Sequence, residues 1–282
     1  MPTFSTPAPI DLAINAKVGT IDIVASARED TIVTITPSNA GKESDRRAAE
    51  NTTIDFDNNR VTITTPRPRF SLVGPTESVH VKVELPADSR FAGEISLGDV
   101  TTVGRLGATR ITSAMGAVNV DITGDLWLRL SHGNTAIGTI EGDAELTVDN
   151  GQMRIGTITG DATLKASHGN IRLGEIGGIL EAKLSYGDLE INKALTSVTA
   201  KTAYGSITLD EVSSGTIDVG SSLGQIRIGI EKGVAAWLDL VSKTGRVHNE
   251  LEPGSAPADN EQSVSVRARA QVGDIRIRRA AQ

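Results

Sequence analysis

One glycine returns through this chain at a spacing that very few folds can use. From Leu97 onward a small or polar residue, one or two further residues, Gly and an alternating apolar pair recur as SLGDVTT, SAMGAVNV, SHGNTAI, DNGQMRI, SHGNIRL, SYGDLEI, AYGSITL, SLGQIRI, KTGRVHN and QVGDIRI. The glycines are Gly98, Gly116, Gly133, Gly151, Gly169, Gly187, Gly205, Gly224, Gly245 and Gly273, separated by 18, 17, 18, 18, 18, 18, 19, 21 and 28 residues. Counting from each glycine, apolar residues fall two and four positions later, as in Ile171 and Leu173 or Leu189 and Ile191, and a third falls at seven, as in Ile140, Ile158 and Ile176. Small or apolar residues return at eleven, thirteen and fifteen, as in Ala144, Leu146 and Val148, or Ala162, Leu164 and Ala166. A period of two sends alternate side chains to opposite faces, so each unit predicts two strand runs joined by turns.

A supersecondary unit repeated at fixed period buries its apolar face against its neighbours, which predicts a solenoid. The expected fold is all-β: a single-stranded, right-handed, β-helix-like solenoid of about 18 residues per coil, with an N-terminal β cap. The right hand follows from the strong preference of parallel crossover connections. A left-handed hexapeptide helix also uses about 18 residues per turn, but it needs an aliphatic residue every six positions, and here they alternate in short runs. Gly124, Gly142, Gly160 and Gly178 mark a second set of bends. The 17-residue interval is read as one residue missing after Val120.

Composition agrees with stacked strands. Aromatic residues are only 3% of the chain while glycines number 29, which suits a thin core of small and β-branched side chains. A net charge of −7 argues against nucleic acid as a partner, since such binding draws on clustered Lys and Arg. The absence of Cys removes disulfides, thiolate nucleophiles and Cys-ligated zinc. No basic segment followed by an apolar run opens the chain and no uncharged apolar stretch reaches spanning length, so neither membrane insertion nor an export signal is expected. Cytoplasmic residence is the reading, with the cell surface or exterior as the alternative.

The domain expectation is a β-rich cap over 1–94 and a solenoid of about ten coils over 95–282, interrupted by a loop insert at 252–262. Strands are expected in the cap at 10–14, 20–25, 31–36, 52–56, 61–65 and 79–85, with a short helix or loop at 41–51. KVGTIDI around Gly19 resembles the repeat, so an early coil is expected to begin there and be completed by later strands. The last strand carries Arg267, Arg269, Arg276, Arg278 and Arg279 against Asp274 alone. We read these cations as blunting an exposed edge strand, in preference to a patch for an anionic partner.

Three columns of equivalent positions invite chemistry. His132, Asn150, His168, Tyr186 and Tyr204 precede consecutive glycines. A zinc site on His132 and His168 fails, because positions two coils apart lie about 9.6 Å from each other, and stacked polar and aromatic side chains account better for the column. Asp125, Asp143 and Asp161 could hold a cation or act as acid and base, but turn chemistry is the preferred reading, with Arg129, Lys165, Lys183 and Lys201 nearby to offset the charge. Asn134, Gln152 and Asn170 read as an amide ladder. No catalytic, cofactor-binding or metal residue is assigned, and no cofactor is expected.

The opening FSTPAPIDLAINAKVGTIDIVAS, the phrase VHVKVELP and the tandem S-x-G-x-I-x-I units resemble the bacterial putative-adhesin family of β-strand-repeat proteins of unknown function, over nearly the whole chain. That resemblance implies the fold and no active-site residue. The functional expectation is a non-enzymatic structural or interaction scaffold presenting a regular β surface to a protein or polymer. The alternative is a carbohydrate-binding or carbohydrate-active solenoid. The partner is an unidentified protein or polysaccharide, with self-association through the solenoid ends as a third reading.

Overall fold

A computed structural model describes residues 2–67, 70–71, 74–75, 77–252 and 262–281. The described chain is all-β apart from one helix, Glu43–Glu50, which lies within the polar segment expected to be helix or loop. It divides into two compact units, Met1–Thr139 and Ile140–Gln282.

In the second unit the strands form two parallel ladders. One contains Ala144–Asn150, Ala162–His168, Leu180–Tyr186 and Val198–Tyr204, and the other Met153–Ile158, Ile171–Ile176, Leu189–Ala194 and Ile207–Val212. Partners in register lie eighteen residues apart, as in Ala162 with Leu180 and Ile171 with Leu189. The inward columns are fully buried and apolar: Leu146, Leu164, Ala182 and Ala200 on one side, Met153, Ile171, Leu189 and Ile207 on the other.

The corner between the ladders explains the glycines. At Gly187 and Gly205 the backbone φ is 142° and 147°, a region that residues with a side chain avoid. A β-carbon at Gly205 would also lie 2.0 Å from the Gly187 carbonyl oxygen. Buried hydroxyls complete the corner: Thr202 Oγ1 donates to the Gly187 carbonyl at 3.3 Å and Ser221 Oγ to that of Gly205 at 2.9 Å.

The order of rungs near the C-terminus departs from chain order. Gly215–Leu223 does not pair with Ala235–Thr244; Ser263–Val272 lies between and pairs in parallel with both. Likewise Ile275–Arg279 separates Ile226–Ile230 from Val247–Asn249. The chain therefore skips one rung, builds the outer one, and returns to fill the gap. Of the insert expected at 252–262, residues 253–261 lie outside the described residues.

This arrangement corrects the edge-strand reading of the arginines. They are interior in the ladder order, and each reaches a flanking rung, the segment that continues one, or, for Arg278, the rung beyond Gly229. Arg267 and Arg269 both engage Asp239, the former with Nε 3.4 Å from Oδ2. Arg276 lies 3.1 Å from Glu250 and Arg278 3.9 Å from Asp210, while Arg279 donates to the carbonyls of Glu231 and Val234 at 3.0 and 2.8 Å. The inward side chains of Ser263–Val272, namely Val264, Val266, Ala268 and Ala270, are fully buried, as an interior rung requires.

The first unit begins with a comparable intercalation. Strand Asp11–Ser26 bends at Gly19, where φ is 139°, and so forms a whole rung by itself. Its first half lies between Arg60–Thr64 and Arg90–Leu97, and its second half between Val79–Pro86 and Val100–Leu106. The early coil expected at Gly19 is thus present. Outside it the pairing turns antiparallel: Asp30–Pro37 runs along Val79–Pro86, Thr53–Asp57 along Arg60–Thr64, and Thr3–Ser5 along Asp30–Pro37. Phe91 fills the space that Gly93 leaves, with its ring 2.5 Å from where a Gly93 β-carbon would sit.

The coil before the short repeat interval carries a bulge. Thr102 pairs with Val120 and Arg105 with Ile122, so Val103 and Gly104 together face Asp121. Gly104, at φ 83°, donates its N–H to Asp121 Oδ2 at 2.9 Å. The 17-residue interval belongs to the coil that follows: there two residues, Gly124 and Asp125, join Val118–Thr123 to Leu126–His132, where three, 159–161, join Met153–Ile158 to Ala162–His168, so the missing residue is at the turn after Val120, as expected.

Candidate functional site

The last residue of each strand before a glycine corner stands just past the edge of the core. In the second unit this position is occupied in register by Asn150, His168, Tyr186, Tyr204, Leu223, Val272 and Thr244. His168 stacks on Tyr186 with centroids 5.0 Å apart and planes within 4°, and Tyr186 on Tyr204 at 4.8 Å and 5°. Such contacts follow from the spacing of parallel strands, which equals a comfortable ring-stacking distance. Tyr186, Tyr204, Leu223 and Val272 are 48%, 49%, 50% and 46% exposed, so four consecutive rungs show a large apolar side chain to solvent. At about 4.8 Å per rung, the seven positions run for roughly 29 Å. The stacking expected for this column is present, and its continuation from Leu223 to Val272 is the part that reading by chain order does not reveal.

Next to the glycine, on its other side, side-chain oxygens tie each rung to its neighbour. Asn170 Oδ1 accepts the Asp188 N–H at 2.9 Å, Asp188 Oδ1 accepts that of Ser206 at 2.7 Å, and Ser206 Oγ that of Gln225 at 3.3 Å. From Asn170 onward the bonds of this column run from side chain to backbone, and Gln152 accepts from Arg154 at 2.7 Å.

The aspartate column behaves as turn chemistry. Asp143 Oδ1 accepts the Asp161 N–H at 2.9 Å and Asp161 Oδ1 that of Ile179 at 2.7 Å. These oxygens close the second turn of each rung. Lys165, Lys183 and Lys201 line up in register on the outer face, where Lys183 pairs with Glu181. That hydrogen bond holds the Glu181 carboxyl below its usual range. Among the described residues no group of three or more His, Asp or Glu is placed to hold a metal ion.

Two shallow depressions lie on outer strand faces. One, of about 380 Å³ in the second unit, is lined by Thr216, Asp218, Trp237, Asp239, Ser265 and Arg267. Trp237 is 62% exposed above it because its register neighbours Ser265 and Thr216 are short. The other, of about 270 Å³ in the first unit, is lined by Ala13, Thr62, Ala92, Glu94 and Arg110. There the Arg110 guanidinium lies 3.5 Å from the Trp127 ring centroid.

Stacked parallel rungs with glycine corners, ordered outer columns and an exposed apolar stripe define a repeat protein of the β-solenoid class. Residues 10–279 match the family described as Toastrack DUF4097, and the chain belongs to that family. A comparison with curated proteins finds no match. Among solved structures, the chain is similar to a putative adhesin from Parabacteroides distasonis, at 15% identity and a TM-score of 0.42, covering 98% of this chain and 95% of that one. A putative adhesin from Bacteroides fragilis is similar at 12% identity and a TM-score of 0.39, over 98% and 95% of the two chains. A putative cell adhesion protein from Clostridium sporogenes shares 12% identity at a TM-score of 0.21, over 99% and 98%. Likenesses this distant fix neither a partner nor an activity. No helix among the described residues is long and apolar enough to cross a membrane.

Proposed function

We propose that this chain is a non-enzymatic interaction scaffold that holds a protein partner along the stripe of Tyr186, Tyr204, Leu223 and Val272. The supporting observation is the half-exposure of four large apolar side chains in adjacent rungs. Contiguous apolar surface of that kind marks interaction sites. Because the rings are already stacked and the backbone is held in a ladder, little conformational entropy remains to be lost on binding. Tyr186 has both faces covered, by His168 and Tyr204, so this ring offers its edge and hydroxyl to a protein surface and no open face on which a sugar could stack. Cytoplasmic residence is proposed, with the cell surface or exterior as the alternative; recovery from the surface fraction of intact cells decides for the latter.

The test replaces Tyr186, Tyr204 and Leu223 by Ser together and compares affinity capture with the parent chain after circular dichroism has shown both folded. Loss of a stoichiometric protein partner in the variant supports the reading. Glycan binding that survives this triple change and disappears with Trp237→Ala would move the function to the depression beside Trp237. Turnover abolished by a point substitution would overturn the non-enzymatic assignment.

A further inference from the structure

We propose that the outermost described rung of the second unit is a dimerisation edge, on which strand Ala235–Thr244 of one copy pairs antiparallel with the same strand of a second copy. Among the described residues this ten-residue strand has one ladder neighbour, Ser263–Val272. Its inward side chains Ala236, Leu238, Leu240 and Ser242 are only half-buried, although the residues they pair with, Val264, Val266, Ala268 and Ala270, are fully buried. The core therefore ends on an incompletely covered apolar layer and a row of strand hydrogen-bonding groups, the combination that recruits another strand.

The occupant follows from the strand's own sequence. Antiparallel pairing must keep inward residues opposite inward residues, and two central registers do so. Centring on Asp239 would set two carboxylates against each other. Centring on Leu240 instead places Leu240 on its own copy, Leu238 opposite Ser242, and Trp237 opposite Lys243 twice. Trp237 is 62% exposed, and Lys243 forms no ion pair among the described residues, so both are open to a cation–π contact across strands. Asp239 is already held by Arg267 and Arg269 and needs no partner from the second copy. A twofold pairing uses the same edge on both copies, so assembly closes at two. This interface is separate from the apolar stripe and does not depend on it.

The chain contains no cysteine, which makes single-cysteine trapping clean. Leu240→Cys in the full chain, under mild oxidation, is expected to give a disulfide-linked dimer, while Ser242→Cys, facing Leu238 across the pair, gives far less. In sedimentation, Lys243→Glu is expected to weaken the dimer about tenfold, and the exchange Trp237→Lys with Lys243→Trp to restore it. All variants are checked for an unchanged circular dichroism spectrum, and Lys243→Glu and the exchange alter outward positions, so folding is expected to persist. A parent chain that stays monomeric at every concentration, equal trapping at 240 and 242, or a dimer indifferent to Lys243→Glu would each overturn the proposal.

Discussion

The carbonyl oxygen of Gly224 lies 2.0 Å from the point a β-carbon would occupy on Gly273, and that of Gly273 lies 2.2 Å from the same point on Gly245. The glycine column thus runs Gly224, Gly273, Gly245, out of chain order. Gly273 also has φ 144°. Gly273→Ala is expected to cost about 2–4 kcal/mol, from the backbone conformation and the displaced rung together. Gly233, at φ 85° with no atom within 4 Å of where its β-carbon would stand, is the control: Gly233→Ala should cost only about 1 kcal/mol. Urea unfolding midpoints of the two variants measure the difference.

Deleting residues 263–282 removes an interior rung and not an end. Amides of 235–249 should then lose their hydrogen-exchange protection although their own residues are intact, because their ladder partners are gone. Protection that persists at 235–249 would contradict the observed order.

The Phe91 ring occupies the space over Gly93. Gly93→Val should destabilise the first unit by about 1–3 kcal/mol through overpacking, and Phe91→Leu in the same chain should recover part of it. Thermal unfolding of the single and double variants makes the comparison.

Asp239 provides the pH prediction. Its hydrogen bond from Arg269, aided by the nearby charges of Arg269 and Arg267, holds the carboxyl below its ordinary value of 3.8. Folded chain therefore binds fewer protons at this group than unfolded chain. The contribution is complete above 3.8 and is lost as pH falls through the lower folded value. Carboxyl NMR titration should find the Asp239 midpoint below 3.8, and Arg269→Leu should move it upward.

Removing one ring of the ladder tests how far the exposed stack contributes to folding. Tyr186→Ala, which removes both stacking contacts, should cost about 0.5–1.5 kcal/mol beyond the lost contact area, read against His168→Ala, which removes only one.

What was readable from residues alone was everything set by local geometry: the two-residue alternation, the glycine corners, the cap strands and the stacking of His168, Tyr186 and Tyr204. Each depends on positions a fixed step apart, and the ladder preserves that step in the pairing of Lys165, Lys183 and Lys201. The short turn at Gly124 and Asp125 was legible as the 17-residue interval, whereas the bulge opposite Asp121 was not, because the extra residue in Val100–Leu106 is offset by the two-residue turn after it and leaves the count at 18.

Rung order was decided by the tertiary structure, since the repeat motif is the same in every rung and does not say which neighbour it meets. Stacked in chain order, Asp239 would face Asp218, two carboxylates repelling by roughly 0.9 kcal/mol at a spacing of about 4.8 Å in water. With Ser263–Val272 between them, Arg267 stands in register with both aspartates. Its wholly apolar inward side fills the fully buried slot, leaving the strand with Ser242 and Lys243 outermost. Alternation and glycine spacing determined that rungs form; charge and burial between distant segments determined which rung lies on which.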